Sequence, residues 1–109
     1  VAAIAYMKLA PEALLAQCKS CPADLITVTM AGEGAKAMDW DVIDTNSKCA
    51  ERTFICMGTN ANIEVNGGAG ANGDKGTGVV IFSASCNMNG TAWLNSGEEV
   101  TQLECSAVM

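Results

Sequence analysis

The sequence predicts an all-β fold: a small, disulfide-stapled antiparallel β-sandwich of the immunoglobulin-like (Ig-like) type, carrying an N-terminal extension. Three observations lead there. Six cysteines, at 18, 21, 49, 56, 86 and 105, fall in a chain of 109 residues, the even set that small extracellular domains oxidise to supplement a thin core. Short runs of alternating apolar and polar residues are separated by glycine-rich turns. Only one short stretch has helical character, so no connection has room for a crossover helix, and antiparallel pairing is expected.

The core is thin because of what it is made from. Half of the chain is apolar, but the aromatic residues are only Tyr6, Trp40, Phe54, Phe82 and Trp93. Small side chains each bury little area, and one domain of this size is marginal without cross-links.

Residues 1–17 stand apart from the body at 18–109. Val1 to Met7 reads VAAIAYM, without charge until Lys8, and Pro11 to Ala16 reads as one or two helical turns with Pro11 at the first position. The segment lacks an initiator Met and a basic n-region, so it is not a complete signal peptide; it is either the tail of one or a mature N-terminus. As a mature terminus its apolar side chains need cover, on their own domain or on a neighbouring copy. Val1, Ile4, Tyr6, Met7 and Leu9 are therefore candidate assembly residues. A strand donated to a neighbour binds through its backbone and is selected by its alternate side chains. A head-to-tail exchange of this kind does not close, and it builds filaments.

In the body, Leu25 to Met30 alternates, with Ile26, Val28 and Met30 expected on the buried face and Thr27 and Thr29 opposite. Cys49 to Met57 carries a second strand, Phe54 and Cys56 on one face and Ile55 on the other. Ala61, Ile63 and Val65 mark a third. Gly78 to Cys86 is the strongest, and its Val79-Val80-Ile81-Phe82 run suggests burial on both faces. Asn87-Met88-Asn89-Gly90 makes a hairpin turn. Thr91 to Asn95 and Glu98 to Cys105, split by Ser96-Gly97, complete the set.

Several functions are excluded by charge and composition. Six Lys plus Arg stand against twelve Asp plus Glu, a net charge of −6, which repels a nucleic-acid backbone. No apolar run approaches the roughly 20 residues that span a bilayer. With no histidine, the commonest general base and metal ligand is missing.

The local motifs have plain readings. Cys18-Lys19-Ser20-Cys21 is a C-x-x-C, but a thioredoxin-type site needs a strand before it and a helix after it, the reverse of the order here. Zinc needs a second close pair, and Cys49 and Cys56 are too widely spaced. Structural disulfides remain; six cysteines allow fifteen pairings, of which a Cys56–Cys86 bridge between strands is one geometric guess. Gly68 to Gly73 fits G-x-G-x-x-G but leads into a strand rather than a helix, so it reads as a mobile loop. Asp39-Trp40-Asp41-Val42-Ile43-Asp44 lacks the glycine and terminal glutamate of an EF-hand and reads as a solvated acidic loop. At least one of Trp40 and Trp93 belongs in the core. Asn89-Gly90-Thr91 is an N-x-T sequon in a turn, which makes Asn89 a candidate for an N-linked glycan.

Cys18-x-x-Cys21-Pro22 with Asp24 to Thr29, Cys49-Ala50-Glu51-Arg52-Thr53-Phe54-Ile55-Cys56, Cys86 to Trp93 and Val100 to Cys105 together resemble the six-cysteine extracellular domain of many nematode proteins. The resemblance covers residues 18–105 and implies a secreted or cell-surface module with three disulfides and no catalytic residues. It leaves residues 1–17 unexplained.

The expected function is a secreted, non-enzymatic structural module that self-assembles into a filament, tube or surface coat. Its partners are copies of itself, joined through the N-terminal segment, and no cofactor, metal, nucleic acid or membrane span is expected. The alternative is a monomeric binding or adhesion module that recognises a protein or glycan through the Asp39–Asp44 and Asn66–Gly78 loops. A small enzyme is disfavoured for want of a catalytic constellation.

Overall fold

The computed structural model describes residues 17–68, 70–73 and 76–108; the expected helix at Pro11–Ala16 and the apolar segment Val1–Met7 lie outside them. After a 3-10 turn at Ala23–Leu25, the chain forms β1 (Thr27–Thr29), β2 (Ala35–Lys36), β3 (Trp40–Asp44), β4 (Glu51–Met57) and β5 (Thr59–Val65). It continues with β6 (Gly70–Gly73), β7 (Val79–Cys86), β8 (Trp93–Asn95), β9 (Glu98–Val100) and β10 (Gln102–Val108). One sheet has the order β1-β10-β5-β6, with β2 continuing along β10 beyond β1; the other has the order β3-β4-β7-β8-β9. The fold is the two-layered all-β sandwich that the strand spacing predicts.

Consecutive strands change sheets at β2–β3, β4–β5, β6–β7 and β9–β10. The β4–β5 crossing is sharp and depends on Gly58, whose φ is +142° and where an added Cβ would lie 2.6 Å from the Ala107 side chain. Alternation in β4 and β10 sends Phe54, Cys56, Leu103, Cys105 and Ala107 inward, where they meet Ala61 and Ile63 of β5 and Val80, Phe82 and Ala84 of β7. Phe54 and Phe82 are direct cross-strand partners with ring centroids 6.4 Å apart. Trp93 is fully buried, and its indole N–H donates to the Pro22 carbonyl at 2.9 Å.

Several expectations need correction. β1 is shorter than the alternating run, and of Ile26, Val28 and Met30 only Ile26 is buried. Val28 shares a face with its partner Leu103, but β1 is an edge strand that the opposite sheet does not cover, and by Met30 the chain has left the strand. β1 also pairs with β10 in parallel. The two strands are separated by most of the domain, so the intervening sandwich makes the crossover and no helix is required. β7 is not buried on both faces: Val80, Phe82, Ala84 and Cys86 are inside, while Ile81 is 63% exposed. Burial on both faces requires a third layer, and no described element lies over that side. Glu98 to Cys105 is two strands, β9 and the start of β10, which belong to different sheets.

Candidate assembly surface

Three disulfides organise the domain: Cys18–Cys49, Cys21–Cys86 and Cys56–Cys105. The last joins β4 to β10 and thus ties the sheets together across the core. A Cys56–Cys86 bridge is impossible here. Cys56 lies opposite Val80, whereas the Cys86 N–H donates to the Ala50 carbonyl, so the two thiols sit at opposite ends of the β4–β7 pair, roughly 20 Å apart at 3.3 Å per residue. The C-x-x-C cysteines do not bond to each other, and every described cysteine sulfur is in a disulfide. These are the bonds of a domain that folds in an oxidising compartment.

Two of the disulfides fix the root of the N-terminal segment. The Cys18 carbonyl accepts from Ala50 N–H at 2.8 Å, and the Gln17 carbonyl accepts from Ser20 N–H at 3.0 Å. Gly90 sits directly against Gln17: its φ is +71°, and a Cβ there would collide with the Gln17 carbonyl oxygen. Gln17 therefore sits at the pole where β4 begins and β7 ends. Val1, Ile4, Tyr6, Met7 and Leu9 lie outside the described residues. Asn89 is exposed at this pole, in the turn between β7 and β8. The turn is built by Asn87, whose Oδ1 accepts from Thr91 N–H at 2.8 Å and Ala92 N–H at 3.3 Å, which leaves the Asn89 side chain facing solvent.

Within the expected Asp39–Asp44 loop, Trp40–Asp44 is the edge strand β3. Its start is tied down by Asp39, whose Oδ2 accepts from Met57 N–H at 2.8 Å and from the Lys36 ammonium. The Lys36 ion pair, followed by the Met57 N–H, holds the Asp39 carboxyl below its ordinary value. Its middle is anchored by Arg52, a buried guanidinium that donates to both oxygens of Asp41, Nε to Oδ1 at 2.8 Å and Nη2 to Oδ2 at 2.9 Å. Arg52 also donates to the Ala23 carbonyl at 2.9 Å and lies 4.6 Å over the Phe54 ring. Sequence reasoning passed over Arg52. Its signal was parity: it is two residues before Phe54 and four before Cys56, on the strand face that must point inward.

The opposite faces of β3, β4 and β7 carry the apolar residues that the core does not use. Trp40, Ile55 and Ile81 are partners in one row across the three strands. Trp40 is 53% exposed and Met57, opposite Val79, is 48% exposed; Val42 extends the patch along β3. At the far end of the same face Asp44 lies directly opposite Glu51, both exposed. The outer face thus carries an exposed apolar row with two carboxylates at one end. Asn66 to Gly78, expected as a mobile loop, includes β6, which pairs with β5 from Asn62↔Gly73 to Val65↔Gly70. Among the described residues no group of three or more His, Cys, Asp or Glu is placed to hold a metal ion, and no helix is long and apolar enough to cross a membrane.

The C6 domain family model matches residues 21–105, from the second cysteine to the sixth. The chain belongs to the C6 domain family. It is also similar to the uncharacterized protein R07B1.7 of Caenorhabditis elegans, with 30% identity over 95 residues, covering 83% of this chain and 65% of the relative. The chain thus spans a little under two thirds of the length of that relative. No solved structure matches it.

Proposed function

We propose that this C6-domain chain is a secreted, non-enzymatic structural module that self-assembles into an extracellular filament, tube or coat, with the N-terminal segment as the connector between copies. The observation that carries this reading is the Trp40–Ile55–Ile81 row, an apolar surface on the outside of a sandwich whose own core is already closed. The chain supplies a second apolar element of matching character, Val1–Met7, rooted at a fixed pole of the domain by two disulfides. Burial of each against the other removes both from water. The three disulfides and the family suit an extracellular route, and the exposed Asn89 sequon suits an N-linked glycan.

Sedimentation velocity and electron microscopy of the oxidised full chain over a micromolar concentration series test the reading. Open-ended polymers are expected. A clean monomer throughout contradicts it and selects a monomeric adhesion module that uses the same exposed face on a different protein or glycan.

A further inference from the structure

Resting on that reading, we infer that residues 3–9 of one copy add to the free side of β3 in the next copy as a parallel strand, in the register Ile4 beside Trp40, Tyr6 beside Val42 and Lys8 beside Asp44. β3 borders its sheet: β4 pairs with one side of it, and no described strand pairs with the other. All five of its residues are exposed. Sheet borders usually carry charge, proline or a bulge that discourages pairing; β3 carries Asp41, which Arg52 neutralises, and Asp44 at its end, but its other three residues are the exposed apolar side chains Trp40, Val42 and Ile43.

The register follows from matching two period-two patterns. On β3, Trp40, Val42 and Asp44 share the outer face with their partners Ile55, Thr53 and Glu51, while Asp41 and Ile43 face the other way. The outer face therefore reads apolar, apolar, acidic along the strand direction. In the N-terminal segment, Ile4, Tyr6 and Lys8 follow at the same spacing of two and read apolar, apolar, basic in the same order. Only a parallel arrangement brings the two sequences into agreement. Antiparallel addition in this frame sets Lys8 against Trp40 and Ile4 against Asp44, and a slip of one residue turns every side chain to the wrong face.

The charge at the end of the row selects the same register. Asp44 and Glu51 are direct cross-strand partners of like charge, an arrangement that is unfavourable until a cation joins it. Lys8 is the basic residue of the segment. On the other face, Ala5 comes beside Asp41, whose carboxylate is already held by Arg52, and Met7 beside the half-covered Ile43. Backbone pairing supplies affinity and these contacts supply selection. Because the segment and β3 are different surfaces of one chain, the contact is heterologous and joins copies head to tail.

The test uses the full oxidised chain with Tyr6 replaced by the photoreactive residue p-benzoylphenylalanine, assembled as an equal mixture of unlabelled and 15N-labelled copies and irradiated. Expected are mixed-isotope cross-linked peptides joining position 6 to residues 40–44. Cross-links confined to a single chain, or mapping to another surface in intact polymers, overturn the register while leaving self-assembly standing. Absence of any polymer overturns both. As a second arm, Trp40→Glu, at an exposed site, should raise the concentration needed for assembly by about tenfold or more with unchanged melting of the domain. Lys8→Glu should do the same, and Lys8→Glu combined with Asp44→Lys should restore assembly. Polymers indifferent to all three changes contradict the proposal.

Discussion

Arg52 and Asp41 form a two-pronged ion pair, with Nε–Oδ1 at 2.8 Å and Nη2–Oδ2 at 2.9 Å, in which the guanidinium is buried and the carboxylate is partly open to water. The pair fastens the outermost strand of one sheet to its neighbour, so the edge on which the apolar row begins is held in place from the core side. The asymmetry of burial sets what each substitution does. Asp41→Ala leaves a buried cation without its counter-charge and should cost about 3 kcal/mol. Arg52→Met keeps the apolar stem beside Phe54, leaves a carboxylate that water can reach, and should cost less. Urea unfolding of the two variants compares them, and equal losses contradict this account of the pair.

Cys56–Cys105 is the bond between the sheets, and its partners are 49 residues apart in sequence. Closing a loop of that length in the unfolded chain is worth about 4 kcal/mol on the chain-entropy account. Replacement of both cysteines by alanine should therefore lower the melting temperature more than any surface change. Calorimetry of the double variant is the check.

Glu104 holds the turn after β1. Its Oε1 accepts from Ala31 N–H at 2.7 Å and from the Thr29 hydroxyl at 2.8 Å, and its Oε2 accepts from Gly32 N–H at 3.1 Å. These donors, Ala31 N–H foremost and then the Thr29 hydroxyl, hold the carboxyl below its ordinary value of 4.5. A carboxyl lowered in the folded state stabilises the fold above the unfolded value, and that contribution is lost as the pH falls through the lower folded value. The stability gap between the native chain and Glu104→Gln should be constant at neutral pH, shrink below 4.5 and vanish in stronger acid. Urea midpoints across that range read it directly, and a gap that persists into acid contradicts the assignment.

Asn89 is exposed in a turn that Asn87 builds. Expression through a eukaryotic secretory route should add one glycan that Asn89→Gln and Thr91→Ala each remove, with the disulfides intact. Intact mass before and after glycosidase treatment decides it.

How much of this was legible in the sequence depended on whether the signal was local. In β4, the parity of Phe54, Ile55 and Cys56 gave the strand, its inward face and its partner face, because alternation in a half-buried strand is a property of the chain alone. The hairpin at Asn87–Gly90 was readable from its turn residues for the same reason. In β7, an unbroken apolar run does not say whether a layer covers the second face, and Ile81 proved to be outside. β3 was read as a loop because its carboxylates suggested solvation; the buried Arg52 that neutralises Asp41 is a contact between strands and leaves no trace in local spacing. Disulfide pairing is likewise set by which strand ends meet, which is why Cys56 joins Cys105 and not Cys86. Of the candidate assembly surface, the N-terminal half was visible as apolarity, while its counterpart row needed three strands aligned in register.

The central claim is that copies of the chain are joined by the N-terminal segment. Deletion of Val1–Ala10 from the oxidised protein, followed by sedimentation velocity and electron microscopy beside the intact chain, tests it most directly. The account predicts that the deleted protein is a monomer with its three disulfides formed, while the intact chain polymerises. Unchanged assembly after the deletion would contradict it.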